Sequence, residues 1–125
     1  MANRDYIKGG YAEFDAQFKL IVDTVVANTA GDQPVWTHIP AEEKAKLQAA
    51  YNDWHPKHEA AESPARGKID VKERVEARKR NEPVLRNFCQ RFFYDCPDVV
   101  TDAQLESMDL RKRAKTRRAR RAGSS

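Results

Sequence analysis

The sequence predicts an all-α protein: a small up-and-down helical bundle of three to four helices over residues 1–110, followed by a disordered basic C-terminal tail, 111–125. Three observations predict it. Apolar side chains recur at intervals of three and four along most of the body, the period of one helical face. No segment alternates apolar and polar residues as a half-buried strand does, and glycine occurs at only five positions. From Arg111 onward the chain holds eight Lys and Arg and no acid, a like-charged block that repels itself and has little to bury.

The first helix is expected over Tyr11 to Asn28, where Phe14, Phe18, Ile21, Val22 and Val25 share a face. Gly31 and Pro34 stop it, and the short segment from Val35 to Pro40 offers Trp36 and Ile39 as a lid on one end of the core. A second helix starts at Pro40 or Ala41, with Glu42 and Glu43 at the positive end of its dipole. Leu47, Ala50, Tyr51, Trp54, His58 and Ala61 carry its periodicity, and Pro56 is expected to kink or break it. Ser63 to Gly67 reads as a turn. The third helix is expected from Asp70, paired with Glu73 as a capping box, to Tyr94. Val71, Val75, Leu85, Phe88, Cys89 and Phe92 suit its inner face, while the polar run Arg78–Glu82 and Pro83 leave two readings: one kinked helix, which is preferred, or two helices meeting at Asn81. Thr101 and Gln104 form a capping box for a last short helix, Val100 staples onto Leu105, and Met108 and Leu110 close the body.

At 125 residues the chain fits one compact domain and excludes a large multidomain enzyme. A domain of this size buries roughly two-thirds of its unfolded surface, enough for a core without metal or disulfide staples. Apolar runs stop at three residues, so no membrane span is expected. Cys89 and Cys96, seven residues apart on a helix, would sit roughly 10 Å apart, beyond the ~7 Å limit for a disulfide. With reduced thiols and no apolar signal segment after Met1, the expected compartment is cytoplasmic.

The order of features resembles a group of uncharacterised bacterial helical proteins. The matching residues are Phe14-Asp15-Ala16-Gln17-Phe18 for an F-D-x-x-F-like pattern, Trp36-Thr37-His38-Ile39-Pro40 for W-x-x-I-P, and Leu47 with Trp54 on the next helix. Leu85-Arg86-Asn87-Phe88 then matches L-R-x-F, Val100-Thr101-Asp102 matches V-T-D, and Met108-Asp109-Leu110 is similar to the closing apolar pair. Members of that group often continue through a proline-rich linker into a β-sandwich domain, and this chain carries a basic tail instead. The resemblance implies a helical fold and no activity.

The formal net charge of +4 is a sum of unlike parts. The tail contributes +8, leaving the body with 15 basic groups against 19 acids, a balance of −4. Arg111, Lys112, Arg113, Lys115, Arg117, Arg118, Arg120 and Arg121 are therefore the candidate polyanion-binding residues, with nucleic acid as the expected partner. Arginine's fork pairs with phosphate oxygens, and the absence of tail aromatics argues against base stacking or sequence readout. His55 and His58, near Asp53 and Glu59, are the alternative: a metal-binding or enzymatic protein using that pair or a cysteine. Two histidines do not complete a ligand set, so no metal, cofactor or catalytic residue is assigned. Cys89 among phenylalanines reads as a small buried hydrophobe, and Cys96 as an exposed thiol. Phe93 or Tyr94 is expected to face away from the core stripe and mark a surface for a protein partner or self-assembly. The resulting expectation is a non-enzymatic interaction or structural module.

Overall fold

The helical periodicity read from the chain is realised in every long element, most closely in α1. The computed structural model describes residues 7–113 and contains α1 (Tyr11–Thr29), α2 (Ala41–Glu62), α3 (Lys68–Cys89), a π-helical turn (Gln90–Tyr94) continuous with it, and α4 (Asp102–Ser107). Among the described residues there is no strand.

In α1 the predicted stripe is buried, with Phe14, Phe18, Ile21 and Val25 fully inaccessible. The helix ends where the Thr29 hydroxyl donates back to the Val25 carbonyl (2.7 Å) and the Trp36 amide to the Asn28 carbonyl (2.9 Å). Gly31 then adopts φ +85°, a conformation in which a side chain would be strained. Trp36 and Ile39 are buried as the expected lid. Trp36 packs on Phe93, with ring centroids 5.5 Å apart.

Neither internal proline breaks its helix. Pro56 lies within α2 and Pro83 within α3, and both are exposed. The carbonyls they deprive of a partner lie one turn back, on Asn52 and Lys79, which are also exposed and can be served by water. The run Arg78–Glu82 is not a helix boundary either. Asn81 is buried, and its Nδ2 donates to Asp53 (2.7 Å) and to the Ala77 carbonyl (2.8 Å). Residues 70–94 are thus one continuous helical stretch. It begins two residues earlier than expected: Gly67 is the cap, and the Asp70 carboxylate reaches back to accept the Gly67 amide at 2.8 Å. The inner face also differs from the prediction. Ala77, Asn81, Leu85, Phe88 and Cys89 are buried, whereas Val71 is 39% exposed and Val75 only half-buried.

The π-helical turn decides which of Phe93 and Tyr94 leaves the core stripe. The Asp95 amide bonds to the Gln90 carbonyl, five residues back, and the widened turn brings both Phe92 and Phe93 inward. Phe93 is completely buried, whereas Tyr94 is half-buried, with its hydroxyl on the Arg111 carbonyl.

Thr101 and Gln104 form the predicted capping box, the Thr101 amide donating to Gln104 Oε1 (2.8 Å) and the Gln104 amide to Thr101 Oγ1 (3.2 Å). α4 ends in a Schellman motif: Leu110 N–H to Leu105 O (2.9 Å) and Asp109 N–H to Glu106 O (3.0 Å), with Asp109 at φ +59° where glycine is usual.

The contacts fix an up-down-up arrangement. As numbering rises along α3, partners fall along α2: Arg74 with Glu62, Arg80 with Asp53, Arg91 just beyond α3 with Glu43. Along α1, Tyr11 and Phe14 meet Trp54 and Phe18 meets Tyr51. The closing segment ties this frame together. Gln17, 1% exposed, accepts the Lys8 amide (2.8 Å) and donates to the Asp109 carbonyl (2.7 Å).

Candidate functional site

The basic run starts as part of the fold. The Tyr94 hydroxyl donates to the Arg111 carbonyl at 2.6 Å, and Lys112 Nζ lies 3.7 Å from Glu106. Arg113 reaches furthest back. Its Nη2 donates to the Phe93 carbonyl, its Nε to the Tyr94 carbonyl (3.3 Å) and its Nη1 to Asp102 (3.1 Å). The carbonyls ending a helix lack intrahelical partners, so this guanidinium caps the π-helical turn. Among the candidate polyanion ligands, Arg113 is therefore committed to the body and extends the fold three residues past Leu110. Lys115, Arg117, Arg118, Arg120 and Arg121, and with them the expected disorder of the tail, lie outside the described residues.

His55 and His58 do not come together as ligands. His55 Nδ1 lies 2.8 Å from Asp15 Oδ1 and Nε2 3.2 Å from Glu59 Oε2, so both ring nitrogens are engaged by carboxylates. The hydrogen bond to Asp15 raises the His55 pKa, with the Asp15 and Glu59 charges adding to it against partial burial. The same Asp15 oxygen accepts Trp54 Nε1 at 2.9 Å. Tyr51 stacks on His55, and burial together with the nearby Asp15, Asp23 and Glu59 pushes its hydroxyl up to about 12. His58 stacks on Trp54, with Nδ1 3.5 Å from an Arg74 guanidinium that is itself paired with Glu62. No group of three or more His, Cys, Asp and Glu among the described residues is arranged to hold a metal ion. The role of Asp15, on which α1 and α2 converge, escaped the sequence reading. Its sole trace there is the acid within Phe14-Asp15-Ala16-Gln17-Phe18.

Both thiols are free. Cys89 is fully enclosed, and burial drives its pKa far above the ordinary thiol value. Cys96 is half-buried rather than exposed, and its thiol donates to the Arg91 carbonyl at 3.4 Å. Two surface grooves of about 310 Å³ flank Pro83. One is lined by Tyr11, Val75, Arg78, Lys79 and Glu82, the other by Leu47, Val84 and Phe88 under a charged rim. The Arg78 guanidinium is engaged by Glu82 and by the Lys8 and Gly9 carbonyls, so it is held by the fold. No described helix is long and apolar enough to cross a membrane.

No family model, curated protein or solved structure matches this chain.

Proposed function

We propose that the chain is a non-enzymatic helical interaction module whose arginine-rich tail contacts a polyanion, in the first place nucleic acid, without reading its sequence. The observation that carries this reading is the division of charge: a body of −4 joined to a run of eight cations without a single acid. Condensed counterions released from the polyanion drive such binding. The acidic body, for its part, disfavours contact over most of its own surface. The anchored root supports the reading, because Arg113 and the Arg111 carbonyl hold the start of the tail at one place on the bundle. Arg111, Lys112, Lys115, Arg117, Arg118, Arg120 and Arg121 are the proposed phosphate ligands, and Arg113 is their anchor. Engagement of both His55 nitrogens by carboxylates weighs against the metal or acid–base alternative. A cytoplasmic location belongs to the same proposal and accords with two unpaired thiols.

The test compares the wild-type chain with a variant carrying glutamine at Lys115, Arg117, Arg118, Arg120 and Arg121, using a fluorescent duplex. If about six phosphates are engaged, wild-type affinity falls about 10³-fold between roughly 50 and 200 mM salt. The variant should bind weakly with a shallow salt slope. Equal affinity and slope in the two proteins would refute the proposal.

A further inference from the structure

Most cations of the body are neutralised where they stand: Arg74, Arg78, Arg80, Arg86 and Arg91 each face a carboxylate within 3.3 Å. Apart from Lys44 on α2, the exceptions cluster. Arg66, Lys68 and Lys72 make no ion pair with any described residue, and all three are exposed. They fall within seven consecutive residues at the α2–α3 corner. Lys79 is exposed and lies 4.0 Å from an exposed Glu76, a separation at which a solvated pair holds little.

Lys68, Lys72 and Lys79 stand four and seven residues apart, so they share one face of α3 and run along it for roughly 16 Å. This face points away from the buried row of Ala77, Asn81, Leu85 and Phe88. The same helical stretch ends at Tyr94, whose hydroxyl meets the Arg111 carbonyl, roughly 40 Å along the axis from Lys68. The bundle therefore carries a lysine row at the α2–α3 corner, on the helical stretch whose other end holds Arg111 and Arg113.

We infer that the outer face of α3 is a second phosphate-binding track, and that the ligand of this protein is a nucleic-acid duplex lying along α3 and continuing onto the tail. The inference rests on the polyanion reading of the tail and adds the ligand's form and footprint. Charge complementarity selects the polyanion. The absence of any aromatic side chain among the exposed residues of α3 selects a duplex over a single strand, because single strands are held by stacking platforms. Footprint sets the length. At 3.4 Å per base pair, about 12 base pairs cover the roughly 40 Å from Lys68 to the tail root. A mononucleotide or a short polyphosphate reaches one region only.

The experiment measures binding of the full chain to duplexes of about 6 and about 20 base pairs across salt. The proteins are the wild type, a track variant (Lys68→Gln, Lys72→Gln, Lys79→Gln) and the tail variant described above. The track lysines are exposed, so the track variant should keep wild-type helicity, which circular dichroism checks. On the long duplex it should lose roughly 10-fold or more in affinity at low salt, and its log–log salt slope should fall by about 3. On the short duplex the deficit should shrink. An unchanged slope in the track variant overturns this inference while leaving the tail reading intact. An unchanged slope in the tail variant alone sinks the tail reading and, with it, a duplex that spans track and tail. Preference for a single strand of equal length, or binding to vesicles containing anionic phospholipid in place of the duplex, also overturns the inference.

Discussion

At the scale of single residues, Asp15 and His55 carry the sharpest consequence. The folded His55 holds its proton to higher pH than the unfolded side chain does. The stabilisation from this cluster is therefore complete below the unfolded histidine pKa and is lost as pH rises through the folded value. Between about pH 6 and pH 9, a window in which the unfolded histidine deprotonates first, the thermal midpoint of the wild type should fall. The fall should be much smaller in His55→Gln, and a parallel profile in the two proteins would refute the link. Tyr51, pushed up to about 12, stays neutral throughout that window. Thiol chemistry offers a second residue-scale test. An aromatic disulfide reagent should modify Cys96 in the native protein, whereas Cys89, fully enclosed, should react only at the rate of unfolding. Equal fast reaction of both thiols would contradict the packing around Cys89. Of these residues the sequence revealed the burial of Cys89 from its phenylalanine neighbours. It did not reveal the pairing of Asp15 with His55, because residues forty positions apart meet only once α1 and α2 have packed.

At the scale of elements, local chemistry was legible wherever both partners lie within one turn. The Thr101–Gln104 box is such a case, and Thr101→Ala should cost about 1 kcal/mol, measured as a shift in urea midpoint at unchanged slope. The Schellman turn after α4 makes the opposite prediction. Asp109 occupies a left-handed conformation that costs an L-residue roughly 1 kcal/mol. Asp109→Gly should therefore stabilise the protein, since the Gln17 contact uses the backbone carbonyl and survives. The side-chain pair with Lys8 that it removes is exposed and worth little. A lowered urea midpoint would contradict this. Elements left alternatives open where the folded surroundings decide a local rule. Pro83 lies in the single helix that the preferred reading expects, and Pro56 in a helix that continues through it, because the carbonyls they strand lie on the solvent side, and solvent exposure of one helix face is fixed by its neighbours. The turn at Gln90–Tyr94 is wider than α-helical periodicity allows, so counting in threes and fours could not decide between Phe93 and Tyr94.

At the scale of the whole molecule, fold class followed from periodicity alone, because a three-residue spacing of apolar groups has few other solutions. The antiparallel order of α2 and α3 follows from the short turn at 63–67, while α1 reaches α2 through the longer segment 30–40. The functional surface was half legible. A run of arginines is visible in any reading of the chain, whereas the unpaired state of Lys68 and Lys72 depends on which acids lie within reach. α3 holds Glu73, Glu76 and Glu82 close by in sequence, and only the packed structure shows Glu73 turned to Lys57 and Glu82 to Arg78 and Arg86.

Gln17 joins the Lys8 amide to the Asp109 carbonyl, so the beginning and end of the bundle meet on one side chain in the middle of α1. Topologically the body is a ring with a polar clasp. A short peptide linking residue 7 to residue 110 would close it covalently. The exposed turn at Ser63–Gly67 could then be opened without cutting a helix, and such a permutant should retain the same core with α3 leading the chain and α2 ending it.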